Sequence, residues 1–579
     1  MLFTLARFLR HYKIQSIFGP LFKMTEAVFE LLVPIVMARM IDTGVAEGDR
    51  SYIYHSGIIL VGLGILGLTC SLTAQYFAAR ASTGFGTELR NALFSHISSL
   101  SFKEIDKFGT PSLVTRMTND CNQVQTGVNM ILRLFLRSPF IVIGAVVMGL
   151  TISVKLTLIF LVASPVLALI IYAIIKKTVK LYKTTQRKLD RSSKIVRENL
   201  NGARAIRAFG RQQDEIKEFE QNSDELYENQ LIAGKISALM NPFTYVVVNL
   251  AIIAIIWFGG RSVYSGSITQ GEVIALVNYM NQILLALVAL ANLIVIITKA
   301  QASAVRINDV FAVNSSVTDG AGTTPDRNAA AVEFDDVSFS YYNSGDDALS
   351  HISFCAYKGE TVGIIGATGS GKSTIVNLIP RFYDVQSGSV KVNGRDVREY
   401  ALKDLRKGIG IVPQKAVLFK GTVRDNMKWR DKNASDEEIE KALEISQSID
   451  FIKEKRGYLD YEILQEGRNL SGGQRQRLTV ARALVGSPDI LILDDSSSAL
   501  DLATDAHLRK AIKDNTEGIT VFIVSQRISS VRGADKILVL DDGTLAGCGT
   551  HEELVRSCEV YREICHSQRV DTEQGGAKA

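Results

Sequence analysis

Long uncharged runs are confined to the first 300 residues. Helix-length apolar stretches fall at roughly 16–40, 57–79, 138–154, 156–175, 237–260 and 273–298. About 20 apolar residues suffice to cross a bilayer core as a helix, so six spans are expected. The last is uncharged over 26 residues, about 39 Å of helix at 1.5 Å per residue. Only Lys155 separates the third span from the fourth, which predicts a tight hairpin. The polar intervals 80–137 and 176–236 carry helix formers at helical spacing and predict long helices that continue the spans beyond the membrane. Each has a break, Phe108-Gly109-Thr110-Pro111 in one and Asn201-Gly202 in the other. A reversal there would leave a short transverse helix at each tip. The first span carries Lys23, Glu26 and Glu30 at spacings of 3 and 4, hence on one helix face. Charges inside a membrane face a cavity or a partner, so they form either the polar wall of a translocation path that favours cationic substrates or a structural ion pair with another helix.

Residues 314–331, NSSVTDGAGTTPDRNAAA, are small and polar and read as a linker. From Val332 the period changes to short strands, turns and helices. The expected architecture is an all-α six-helix transmembrane domain with long helical extensions over 1–313, then an α/β phosphate-loop nucleotide-binding domain over 332–579.

Composition adds little. A chain of 579 residues exceeds one domain, and its net charge of +5 does not argue for nucleic acid. Six scattered cysteines without a C-x-x-C pair read as reduced thiols. The first residues are basic and amphipathic and lead directly into a span, without a cleavable signal pattern. Arg7, Arg10 and Lys13 precede the first span and Lys176, Lys177 and Lys180 follow the fourth, whereas Asp42, Glu47 and Asp49 outweigh Arg50 in the first loop. The positive-inside rule then places both termini in the cytosol.

The chemistry centres on Gly366 to Thr374, GATGSGKST. It fits the phosphate-loop pattern with Gly366, Gly371, Lys372 and Ser373 at the fixed positions, between the apolar strand Thr361–Ile365 and the start of a helix. The backbone from Gly366 through Thr368, Gly369 and Ser370 can wrap a phosphate with its N–H groups inward. The helix end, with Thr374, adds positive potential. Lys372 supplies a point charge, and the Ser373 hydroxyl can hold Mg²⁺. Ile490-Leu491-Ile492-Leu493-Asp494 is a buried strand ending in a carboxylate suited to ordering Mg²⁺. Tyr341 lies 25 residues before Gly366 and could stack on adenine. Gln414 closes the expected strand Ile411-Val412-Pro413, and Leu470-Ser471-Gly472-Gly473-Gln474 opens another helix fit to hold a phosphate. One loop and a second anion site suggest a nucleotide shared across a dimer.

Taken together, these motifs resemble an ATP-binding cassette exporter half-transporter over essentially the whole chain. LSGGQ at 470–474 followed by RQR is that family's signature. The resemblance implies ATP and Mg²⁺ as cofactors, adenine stacking on Tyr341, a Mg²⁺-coupling role for Gln414, and a dimer-contacting Ser498-Ala499-Leu500-Asp501. It also implies that two chains sandwich two ATP molecules, each between one phosphate loop and the partner's Ser471, Gly473 and Gln474. The breaks near 108–111 and 201–202 would be coupling helices.

Two departures carry weight. The family usually has a glutamate where this chain has Asp495, and a histidine where it has Gln526 in Ser525-Gln526-Arg527. The shorter aspartate displaces its carboxylate by about 1.5 Å, worth on the order of 100-fold in rate. Glutamine has no titratable ring. The expected function is therefore export of amphipathic small molecules or lipids across a bacterial plasma membrane, by the degenerate-site half of a heterodimeric multidrug exporter. The partner half-transporter would supply the catalytic glutamate and switch histidine. A slow homodimer and a regulatory ATP-sensing subunit remain as alternatives. Six spans exceed what an anchored phosphate-loop enzyme needs.

Overall fold

The structure is a computed structural model that describes residues 2–576, except 327, 342–344, 497–499 and 516. It forms two compact units, one of Met1–Ile97 with Pro111–Ala312 and one of Ser98–Thr110 with Val313–Ala579.

The first unit is helical. Its long helices are α1 (Lys13–Arg39) and α2 (Arg50–Ser99). The short α3 (Phe102–Phe108) belongs to the second unit. Then follow α4 (Thr110–Ile152), α5 (Val154–Ala208), α6 (Gln212–Tyr264) and α7 (Gln270–Phe311). Five of these, α2 and α4–α7, are long and apolar enough to cross a membrane. Helix α1 has the length, about 40 Å for 27 residues, but its three mid-helix charges, Lys23, Glu26 and Glu30, lower its hydropathy. Those charges are paired. Lys23 Nζ lies 2.5 Å from Glu26 and donates to Ser71 Oγ of α2 at 3.0 Å. Arg137 of α4 donates to both oxygens of Glu30, at 2.7 and 2.8 Å. Pro34 of α1 cannot donate to the Glu30 carbonyl. Gln282 of α7 does so instead, at 3.2 Å, and the buried Tyr279 hydroxyl donates to Leu31 O at 2.7 Å. The proline is thereby tolerated in mid-helix.

Two boundaries differ from expectation. The hairpin between the third and fourth spans turns at Ser153, which caps α5 through its hydroxyl, rather than at Lys155. Asn201-Gly202 does not break the chain, because α5 runs through it to Ala208. The reversal falls at Phe209-Gly210-Arg211. Gly210 has φ +66°, Arg211 N donates to Ile206 O, and Gly210 N donates to Arg207 O. That is a Schellman stop, which needs a glycine at positive φ. Gly202 in a regular helix loses only about 1 kcal/mol against alanine. The break at Gly109, φ +75°, falls where the sequence placed it.

The second unit has two main sheets. Strands β1 (Val332–Phe339), β2 (Leu349–Ala356), β4 (Ser387–Val392) and β5 (Arg395–Asp396) form an antiparallel sheet of order β2-β1-β4-β5. Strands β3 (Thr361–Gly366), β6 (Ile409–Val412), β9 (Ile490–Asp494), β10 (Thr520–Val524), β11 (Lys536–Asp541) and β12 (Thr544–Gly549) order as β12-β11-β3-β10-β9-β6. All but β12 are parallel. A small pair, β7 (Gly421–Thr422) and β8 (Glu462–Ile463), lies apart. Strands β9 and β10 are buried along their whole length, as the continuous apolar runs of a covered parallel sheet require.

The expected linker packs against this unit at Thr318, Gly320 and Gly322. Gly320 N donates to Tyr400 O, Gly322 N to Glu399 O, and Arg381 Nη1 to Thr318 O at 2.9 Å. A Cβ on Gly320 would sit 2.5 Å from the Glu399 backbone, so this strap lies on its surface only as glycine. Helix α3 packs here too. Phe102 lies 4.8 Å from the Phe382 ring, and Tyr383 donates to Asp106 at 2.7 Å.

Candidate functional site

Parallel strands deliver their C-terminal ends to one edge of a sheet, and ligands bind there. Register places Val524 beside Asp494, and Val412 beside Leu493. Gly366, Asp494, Ser525 and Gln414 therefore follow or close neighbouring strands at one edge.

The loop after β3 has little room. A Cβ on Gly366 would meet Leu540 O at 2.2 Å, and one on Gly371, φ +92°, would meet Ala348 O at 2.7 Å. Helix α8 (Lys372–Leu378) begins at once. Lys372 is buried and donates to Gly366 O at 2.9 Å and Ala367 O at 2.5 Å. Burial lowers its pKa, opposed by Asp495 and Asp494. Thr368 and Gly369 are exposed at the loop tip, and Ser370 is buried. Ser373 Oγ donates to Asp494 Oδ1 at 2.9 Å. Thr374 Oγ1 accepts from Tyr341 at 3.2 Å. The Tyr341 ring stands edge-on to Tyr383 at 5.3 Å, so Tyr341, Tyr383 and Asp106 form one chain of contacts to α3.

Asp494 is 7% exposed. Burial raises its pKa, and the charge of Asp495 adds to this against the hydrogen bond from Ser373. A carboxyl whose folded pKa is raised destabilises the fold as pH climbs through the interval between its unfolded and folded values, and the loss is complete above it. Asp494→Asn is accordingly expected to raise the thermal midpoint at pH 7.5, but not at pH 3.5, while lowering ATP turnover. Scanning calorimetry at both pH values measures this.

Asp495 takes φ +44°, a left-handed conformation uncommon for a side chain other than glycine. Its N–H donates to Val524 O, and Gln414 Nε2 donates to its carboxylate at 3.3 Å. Strained backbone of this kind collects at functional sites. Gln526 is exposed, and its segment is clamped from an unexpected place. Gln568, on α10 (Glu559–Gly576), donates to Gln526 O at 2.7 Å and accepts from Ile528 N at 2.9 Å. No sequence signal marked Gln568 or Tyr383; both act through contacts with residues 40 or more positions away in the chain.

The signature opens α9 (Gly472–Leu484). Ser471 caps it, accepting from Gln474 N, while Gln474 Oε1 accepts from Ser471 N at 3.0 Å. Gly472 has open space around it, and Gly473 is half-buried. Among the described residues no hydrogen bond joins Ser471, Gly473 or Gln474 to the phosphate loop. Of the expected dimer contact, Ser498 and Ala499 lie outside the described residues.

Comparison with known proteins resolves the family. A model described as the ABC transporter transmembrane region matches residues 16–287, and one described as ABC transporter matches 349–498. The chain belongs to the ABC transporters. It is similar to the uncharacterized ABC transporter ATP-binding protein YfiB of Bacillus subtilis, 38% identical over 97% of each chain. It is 34% identical to the probable multidrug resistance ABC transporter ATP-binding/permease protein YheI of the same organism, over 85% of this chain and 84% of that one. A bacterial Atm1-family ABC exporter with ATP bound shares the fold, with TM-score 0.79 and 23% identity over 97% of this chain and 98% of that one. This ABC chain is thus an ATP-binding, ATP-hydrolysing transporter, a half-transporter with one membrane region and one ATP-binding domain.

Proposed function

We propose that this chain is the weakly hydrolysing half of a heterodimeric exporter, moving amphipathic small molecules or lipids outward across a bacterial plasma membrane with both termini cytosolic. The observation that carries the reading is the pair Asp495 and Gln526, at the positions where the family has its glutamate and histidine. Asp495 lies beside Gln414, but its carboxylate is one methylene short. It orients an attacking water poorly, and Gln526 offers a hydrogen bond without a titratable ring. Gly366, Gly371, Lys372 and Ser373, which would bind ATP, fit the phosphate-loop pattern.

The ATP site fits its cofactor. The loop is closed to any Cβ at Gly366 and Gly371, and Lys372 holds its charge against the loop's own carbonyls. Tyr341 stacks on adenine in this reading. Thr368, Gly369, Ser370 and Thr374 complete the phosphate grip. A Mg²⁺ ion would be held by Ser373, Asp494 and Gln414. Hydroxyl, carboxylate and amide oxygens suit it, since Mg²⁺ takes one or two carboxylates and otherwise substrate phosphates and water. When bound it neutralises charge developing on the phosphates. Ser471, Gly473 and Gln474 would close the partner's ATP site, where a glutamate and a histidine complete hydrolysis. The multidrug name of YheI supports the cargo class. Residues 314–331 are the linker between the membrane domain and the ATP-binding domain in this reading, and α3, held by Asp106, Tyr383 and Tyr341, is a coupling helix.

ATPase measurement on the full chain in vesicles, alone and with a partner half that has the glutamate and histidine, tests the reading. Alone, the rate is expected below a tenth of the pair's. Equal rates would mean a homodimer and would end the proposal.

A further inference from the structure

Helices α5 and α7 flank an open cavity of about 820 Å³, within the range of small-molecule sites. Its walls are apolar, with Ile171, Leu287 and Ile294 among them. Its only charged lining groups are Lys176, Lys183 and Lys299. On both helices the lysines lie C-terminal to most of the apolar lining. Lys176 and Lys183 are seven residues apart, two turns along one face and about 10 Å. None of the three lysines forms an ion pair among the described residues.

A second observation is independent of charge. Thr185 lines the cavity, is 7% exposed, and its hydroxyl has no hydrogen-bond partner among the described residues. Threonines in this chain's helices routinely bond the carbonyl four residues back. Thr298, on the opposite wall, does so to Ile294 O at 2.8 Å. A buried hydroxyl left unpaired is unfavourable unless something fills the place.

We propose that this cavity binds anionic amphiphiles. The phosphate or carboxylate head lies on Lys176, Lys183 and Lys299, Thr185 donates to an oxygen of the ligand, and the tail lies along the apolar walls. A cationic amphiphile would meet three like charges and no carboxylate. That the occupant is cargo rests on the export reading; that it binds does not.

The test uses the full chain in phosphatidylcholine nanodiscs, without nucleotide, titrated with dodecyl phosphate and with dodecyltrimethylammonium. Dodecyl phosphate is expected to bind roughly tenfold tighter, about 0.5 kcal/mol for each exposed cation. Replacing all three lysines by glutamine should remove the preference, and replacing all three by arginine should keep it. Thr185→Val should weaken dodecyl phosphate roughly threefold. If the glutamine variant does not fold, Lys299→Gln with Thr185→Val serves, with part of the preference lost. Equal affinities for the two probes, or a preference unchanged by the glutamines, would overturn the proposal. Competition by phosphatidic acid placed in the disc would assign the head group to a lipid, and its absence to a single-chain amphiphile. Charge-selective binding, with no ATP-driven movement of dodecyl phosphate in sealed vesicles by the chain paired with its partner half, would instead defeat the export reading and leave the site standing.

Discussion

Asp495→Glu with Gln526→His is expected to raise the ATPase rate of the purified chain alone by about 100-fold, the scale that a misplacement of about 1 Å controls. Most of the gain belongs to the glutamate, because it restores the reach of the carboxylate that activates water. The histidine adds a group whose protonation can follow the reaction near neutral pH. The KM for ATP should stay within about threefold, since Lys372, Ser373 and Tyr341 are untouched and an interaction made only in the transition state moves kcat alone. Phosphate release at saturating ATP, with each single change beside the double, gives the result. A rise below threefold would mean that Asp495 and Gln526 are not what limits this site. Asp495 also sits at φ +44°, which aspartate adopts more readily than glutamate. The double variant should therefore fold slightly less stably while it turns over faster.

The second large effect concerns stability. Glu26→Ala removes the carboxylate 2.5 Å from Lys23 and leaves a cation that is 7% exposed with only the Ser71 hydroxyl to answer it. Breaking a buried pair from one side typically costs about 3–5 kcal/mol, whereas replacing both members by apolar residues is often near neutral. Lys23→Met with Glu26→Leu should recover most of the thermal midpoint lost by Glu26→Ala, read by thermal unfolding in nanodiscs. The double variant also separates the two meanings of these charges. If it is stable and exports normally, Lys23 and Glu26 are structural. If it is stable but export fails, they line the path.

What the sequence made legible followed the range over which each signal acts. The phosphate loop, the carboxylate closing β9 and the signature are short and local, and each falls on the strand end or helix start that its composition foretold. Gly109 was legible for the same reason, since a glycine before Thr-Pro stops a helix. Asn201-Gly202 misled because composition marks a turn only where the backbone bends, and the glycine with positive φ lies eight residues further on. The segment 314–331 reads as a free linker until Tyr400 and Glu399 supply partners for the N–H groups of Gly320 and Gly322. Gln568 was beyond reach, because a polar residue on a polar helix gains its role only when folding brings Gln526 and Ile528 against it.

Helix α1 has one further consequence, for how the protein enters its membrane. A charge at the centre of a membrane helix opposes insertion by about 2.5–3.5 kcal/mol, and α1 carries three. Arg137, which answers Glu30, is synthesised 107 residues later. At 5–20 residues per second that is a wait of about 5–20 seconds. During it, α1 has Lys23 and Glu26 to neutralise each other and, once α2 emerges, Ser71. Glu30 has no such neighbour. Helix α1 is thus settled in the bilayer only once α4 has emerged, and its insertion depends on Arg137.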